Sequence, residues 1–195
     1  MSYTGKLVLV VGTSGSGKGV LLKRAKEAHP DIIFPISCTT RAIRPGEIEG
    51  ENYHYLTDEE FARRVEAGEF LEWASYGGKR YGTLKSEVIP FLEEGKLVIR
   101  EVEVQGARLI RDAIPPENFA IIYIYAGAWE DLARRIQSRA PMSPEDLEAR
   151  RKHYEDEQSF KAEATYVVEN LDGKFEEADA AFEKIISELA ADAKV

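Results

Sequence analysis

The chain has 195 residues, 44% hydrophobic and 31% charged, with 26 basic against 35 acidic side chains and a formal charge of −9. That length supports one well-buried core rather than two independent ones, and a net acidic surface repels phosphate backbones, which argues against a general nucleic-acid binder. No apolar run approaches the roughly 20 residues that span a bilayer, so neither nucleic acid nor a membrane is expected as a partner. Cys38 is the single cysteine, which excludes an internal disulfide, fits a reducing compartment and reads as a small hydrophobe. Residues 1–6 run into a short apolar stretch without the layout of a signal peptide. The expected setting is cytoplasmic.

In chain order, KLVLVV at 6–11 is a nearly continuous apolar run, the mark of a strand buried on both faces. A glycine-rich turn follows, and 20–27 reads as a helix stopped by His29-Pro30. Residues 31–37 read as a second strand. Thr57-Asp58-Glu59-Glu60 is a capping box that opens a short amphipathic helix ending at Gly68. Residues 70–76 read as a strand, and 85–94 as a helix that contains Pro90 and closes at Gly95. Two apolar strands at 97–102 and 119–125 are followed by helical patterns at 105–112 and 129–139. The charged stretch 143–162 reads as helical, leading to a strand at 165–169 and an amphipathic helix from about 175 to 189. Strands alternating with helices predict an α/β fold, a parallel sheet covered on both faces. Residues 37–82 break that rhythm and read as an inserted, partly β subdomain.

Gly12-Thr13-Ser14-Gly15-Ser16-Gly17-Lys18 lies between the first strand and the first helix. In that setting glycines let successive backbone N–H groups turn inward, and the helix N-terminus adds partial positive charge. The arrangement is a phosphate cradle, with Lys18 in reach of the β- and γ-phosphates of a triphosphate. The triphosphate-binding set is Gly12, Thr13, Ser14, Gly15, Ser16, Gly17, Lys18, Gly19 and Val20. A strict P-loop follows its lysine with Ser or Thr, whose hydroxyl meets Mg²⁺. Here Gly19 and Val20 supply none, so the metal keeps a water at that position or another residue substitutes.

A second constellation begins at Ser37. Arg41 and Arg44, three residues apart behind a strand end, suit one phosphate, because guanidinium forks bind phosphate oxygens in pairs. Gly50 to Tyr55, Phe70 to Ala74 (with Glu72) and Tyr81-Gly82-Thr83 then bring hydroxyls and a carboxylate near aromatic rings. With Val104-Gln105-Gly106 and an arginine-bearing segment further on, these motifs, in this order, resemble the guanylate kinase family from Lys6 almost to the C-terminus.

The resemblance implies a P-loop core (1–36, 84–134 and 163–195), a GMP-binding subdomain (37–83) and a helical lid (135–162). It implies that Arg41, Arg44, Tyr53 and Tyr81 hold the acceptor phosphate and that Ser37, Glu72 and Thr83 read the base. Guanine suits Glu72: it offers N1–H and its N2 amino group side by side to an acceptor-only carboxylate, whereas adenine presents an acceptor at N1. Lid arginines Arg135, Arg139 and Arg150 are implied to close over the triphosphate beside Lys18, and Asn170 to lie near the donor adenine. The implied reaction is transfer of the γ-phosphoryl of ATP, as its Mg²⁺ complex, to GMP and dGMP, by a monomer or homodimer. Glu101 and Glu103 stand where the family usually carries aspartates; we expect them in the acceptor site, and one of them near the metal through water. Ala140-Pro141-Met142 replaces the glycine and polar residues common in the lid. Two other readings share the fold: a kinase for another nucleotide or a sugar phosphate, and a non-catalytic binding module.

Overall fold

The computed structural model describes residues 3–13, 15–139 and 142–193, with the side chains of Tyr76, Arg139, His153 and Asp156 outside that description. Ser14 of the glycine-rich loop and Ala140-Pro141 of the lid turn lie outside the described residues. The chain builds two sheets. The first runs β6 (Leu97–Glu101), β1 (Lys6–Gly12), β7 (Phe119–Tyr125), β8 (Tyr166–Glu169), all parallel. Strand β1 lies inside it, and its alternate side chains feed two cores. Val8 and Val10 pack under α1 (Lys18–Ala28) and α7 (Phe175–Asp192), beside Leu21, Phe182 and Ile186. Leu7, Leu9 and Val11 pack on the opposite face against Ala107 and Ile110 of α4 (Val104–Ala113) and Phe160, the last residue of α6 (Pro144–Phe160). A strand buried on both faces has no polar side to show, which is why its sequence is apolar throughout.

Residues 31–37 do not form the expected strand. They make one parallel bridge, Ile33 to Val98, at the edge of β6. Pro30 and Pro35 bracket that bridge, and proline has no N–H to extend a ladder. The expected helix over 85–94 is likewise split into a 3₁₀ turn, Lys85–Glu87, and α3, Ile89–Glu93. Pro90 falls in the first turn of α3, where its missing N–H costs nothing, and a continuous helix would have needed that donor.

The second sheet is ordered β3 (His54–Tyr55), β2 (Cys38–Thr39), β5 (Lys79–Leu84), β4 (Phe70–Tyr76), with β2 antiparallel to β5 and β5 to β4. Helix α2 (Asp58–Glu66) covers one face, with Phe61 against Cys38, Phe70 and Leu84. Thr57 caps it by accepting the Glu60 N–H at 3.1 Å, and Gly68 closes it at φ 66°. Burial pushes the Cys38 thiol up to about 11, consistent with a packing role. The other face of this sheet looks toward the first sheet.

A β-bulge decides what that inner face carries. Phe70 pairs with Leu84, but the next partners are Glu72 and Thr83, so Leu71 is an extra residue on β4. The extra residue lets Phe70 enter the core under α2 while Glu72 turns to the opposite face beside Thr83. Gly82 keeps β4 and β5 close at this point: a Cβ there would sit 2.9 Å from the Glu72 carbonyl oxygen and 2.8 Å from the Phe70 ring. Gly82→Ala is therefore expected to lower stability by about 2 kcal/mol in urea unfolding. An unchanged midpoint would mean that β4 yields freely.

Candidate active site

A cleft of about 600 Å³ lies between the two sheets, and Gly12, Lys18, Tyr53, Glu72, Tyr81 and Glu101 are among the residues that line it. The glycine-rich loop is thus brought to the same cleft as the Glu72 constellation, as are Ser37 and Glu103.

Gly15 and Gly17 take φ values of 88° and 92°, a backbone state that L side chains rarely adopt. A Cβ on Gly15 would meet Ile136 and Leu132 of α5 (Trp129–Arg139) at 3.1 and 3.2 Å, so the loop lies against that helix. Gly17 caps α1, and no described side chain caps the helix's first turn, which leaves its N–H groups turned toward the loop. Lys18 is nine-tenths buried; its ammonium donates to the carbonyls of Gly12 (2.6 Å) and Thr13 (3.1 Å) and stands 3.6 Å from Glu101. The hydroxyls of Thr13 and Ser16 are buried and have no hydrogen-bond partner among the described residues. Unpaired buried hydroxyls are costly, and phosphate oxygens are acceptors that would relieve them. Val20 is half exposed and Gly19 has open space where a Cβ would be, so neither replaces the missing hydroxyl.

Asn170 is buried, and its Nδ2 donates to the Ser16 carbonyl at 2.7 Å. A Cβ on Gly17 would collide with that amide at 2.3 Å. Its contact is thus with the loop backbone. Its own carbonyl accepts from Arg135 Nη1 at 2.8 Å, and Arg135 Nε also donates to Asp172. Arg135 is thereby tied to the loop's support. Arg150 is half-buried on α6, and the Arg139 side chain lies outside the description. Asn170→Ala leaves the Ser16 carbonyl unpaired, a cost of about 1–3 kcal/mol. The expected result is a lower Tm together with a weaker grip on a nucleoside triphosphate, read by calorimetric titration.

On the second sheet, Arg41 forks onto Glu47 at 2.8 and 3.0 Å and lies 5.4 Å from the centre of the Tyr53 ring. Tyr53 and Tyr81 meet edge to face at 6.1 Å. Burial pushes the Tyr53 phenol above its ordinary range, so it stays a proton donor at neutral pH. Arg44 is exposed, and its backbone N–H donates to Glu47 at 2.8 Å. The Arg41 fork, that N–H and the Tyr55 hydroxyl together pull Glu47 down from an ordinary 4.5 to about 2. A depressed carboxylate contributes stability that is present above pH 4.5 and is lost as pH falls toward 2. Glu47→Gln should flatten that limb when unfolding is followed between pH 6 and 2; an unchanged slope would remove Glu47 from the acid response.

Glu72 and Arg100 form the buried centre of the cleft, 7% and 8% exposed. Glu72 Oε1 accepts from Thr83 Oγ1 at 2.6 Å and from Arg100 Nη2 at 3.0 Å, while Arg100 Nη1 donates to Ser37 Oγ at 2.8 Å. Burial lowers the Arg100 pKa, with Glu72 opposing. The sequence reading did not assign Arg100 to the site. A signal was available, since one guanidinium within the apolar run 97–102 must find a buried partner.

A parallel sheet whose inner strand runs through a phosphate loop into a helix, facing a second sheet with a buried carboxylate, defines a P-loop nucleotide phosphotransferase. The guanylate kinase family model matches residues 4–189, and the chain belongs to that family. It is 39% identical over 178 residues to a guanylate kinase of Synechococcus sp., covering 90% of this chain and 81% of that protein. It is 46% identical over 147 residues to one of Prochlorococcus marinus, covering 75% and 76%. The crystal structure of guanylate kinase from Anaplasma phagocytophilum superposes with a TM-score of 0.73 at 25% identity, over 97% of this chain and 88% of that one. Among the described residues no helix is long and apolar enough to cross a membrane.

Proposed function

We propose that this chain transfers the γ-phosphoryl group of ATP to GMP, and to dGMP, giving ADP and GDP. The observation that carries the reading is Glu72: a buried carboxylate, fixed through Oε1, in the same cleft as Lys18. Residues 37–83 are the acceptor subdomain in this reading. Glu72 accepts guanine N1–H and the N2 amino group, with Ser37 and Thr83 beside it. Arg41, Arg44, Tyr53 and Tyr81 hold the monophosphate. Phosphate competes with Glu47 for the Arg41 fork, an exchange between two anions.

The loop amides of residues 12–20 and Lys18 hold the donor phosphates. The acceptor is already a phosphate oxygen, so no side chain has to remove a proton. The Lys18 ammonium leaves its two loop carbonyls for the β- and γ-oxygens. Segment 135–162 closes, bringing Arg135, Arg139 and Arg150 over the transferring group and excluding water, which otherwise competes as acceptor. Rate then comes from alignment and from neutralising charge.

The residues fit a magnesium ion that arrives with ATP. Glu101 stands beside Lys18 at the mouth of the loop, and the buried hydroxyls of Thr13 and Ser16 are unpaired. No cluster of three or more potential ligands is found among the described residues; an ion that arrives with a nucleotide is held mainly by phosphate and water. When bound, it would neutralise charge on the donor phosphates. Glu101, or Glu103 at the start of α4, would hold it through water. A cytoplasmic setting fits the single buried Cys38.

Coupled ADP release with GMP, dGMP, AMP, CMP and UMP tests the acceptor. Turnover confined to the two guanine nucleotides is expected. Glu72→Ala should then lower kcat/KM for GMP roughly tenfold to a hundredfold, the loss of one charged buried partner. Equal use of AMP by the parent protein would overturn the assignment.

A further inference from the structure

Arg100 is a buried charged group in the cleft that the transfer chemistry leaves unused. It sits on β6 of the first sheet, yet its donors reach Glu72 on β4 of the second sheet and Ser37 on the segment joining the two. Its Nε is buried without a partner among the described residues.

The hydrogen bonds fix the direction of the Arg100 and Thr83 protons around this group. A serine hydroxyl has one O–H to give and lone pairs to receive. Arginine cannot accept, so Ser37 must receive from Arg100 Nη1, and its own proton is left to point elsewhere. Thr83 is the converse case: its proton is given to Glu72 Oε1 at 2.6 Å, so its remaining capacity is as an acceptor. Both bonds to Glu72 fall on Oε1. Oε2 lies toward Gly106 on the cleft wall, 3.5 Å from where a Cβ on that glycine would be.

We propose that Arg100 is the specificity-determining positioning residue of the base pocket: by donating to both Ser37 and Glu72 it turns the Ser37 O–H away from itself, where it can donate, and orients Glu72 so that its free acceptor, Oε2, faces the cleft. A donor beside an acceptor complements the guanine edge, where the O6 acceptor adjoins the N1–H donor. It opposes adenine, which presents N6–H₂ and N1 in the reverse order. Without Arg100, the Ser37 hydroxyl rotates freely and serves either edge. The pocket then distinguishes the two purines through Glu72 alone. This rests on guanine being the base held in the cleft.

The test compares Arg100→Met, which keeps the length and removes the donors, with Arg100→Lys, which keeps the charge but has no planar fork to span two partners. Acceptor kinetics with GMP, IMP and AMP at saturating ATP are the readout. IMP keeps O6 and N1–H and lacks the N2 amino group. In Arg100→Met, KM for GMP and IMP should rise by about tenfold to a hundredfold. The kcat at saturating GMP and the KM for ATP should stay near the parent values, and the GMP-to-AMP ratio of kcat/KM should fall about tenfold or more. Arg100→Lys should recover GMP affinity in part without restoring the ratio. Ser37→Ala should cost more GMP affinity in the parent than in the Arg100→Met background and should lower the GMP-to-AMP ratio only where Arg100 is present, a coupling that a double-mutant cycle reads directly.

Should Arg100→Met fail to fold, GMP and AMP binding to Arg100→Lys, with and without Ser37→Ala, gives the same comparison. An unchanged GMP-to-AMP ratio, equal losses for all three acceptors, or additive effects of the Ser37 and Arg100 changes would each overturn the proposal. A parent protein inactive with GMP would instead overturn the base assignment beneath it.

Discussion

The Arg100 guanidinium leaves the edge strand of the parallel sheet and meets the Glu72 carboxylate at 3.0 Å, with both groups less than a tenth exposed. Burying two charges is expensive unless geometry and additional hydrogen bonds offset it. Here Thr83 and Ser37 supply those bonds. The pair therefore works only while β4, β5, β6 and the segment carrying Ser37 keep one relative arrangement. The cleft floor is correspondingly a junction between the sheets, and the base recognition proposed for it would depend on the same few atoms as the docking of the second sheet.

The other side of the cleft is held by different means. The phosphate loop inherits its position from β1, which is buried on both faces, and is braced from outside by Leu132 and Ile136 against Gly15 and by Asn170 on the Ser16 carbonyl. Within this braced loop the buried hydroxyls of Thr13 and Ser16 have no partner among the described residues. Apolar packing fixes the donor side, whereas the acceptor side depends on a polar network. Changes in solvent or acidity will reach the second before the first.

The alternation of apolar runs with helical patterns is enough to read the parallel sheet and most of its helices, because β1, β6 and β7 are buried and have to look so. The Thr57 cap and the Gly68 stop were legible for the same reason: the chemistry is local. Residues 31–37 were misread because their hydrophobicity satisfied the strand pattern while two prolines denied it a ladder. Short strands β2 and β3 were invisible, since two residues carry no period. Glu72 and Lys18 could be named from motifs, but their contacts could not. That Arg135 is tied to Asp172 and Asn170, and that Arg100 joins Glu72 and Ser37 in the cleft, depend on elements far apart in the chain. The direction in which β4 presents Glu72 depends on an extra residue that no periodicity announces.

That extra residue, Leu71, makes strand length a determinant of the pocket. Point substitutions on β4 exchange one side chain for another on a given face and change the cleft in small steps. Loss of a single residue between Glu72 and Tyr76 would instead move Glu72 onto the face where Trp73 now meets Phe61, sending the carboxylate toward the core under α2. Insertions and deletions in this strand are therefore far harsher events than in the loops nearby. Lineages descending from such a fold can vary the chemistry of the pocket gradually while the spacing on β4 stays effectively frozen.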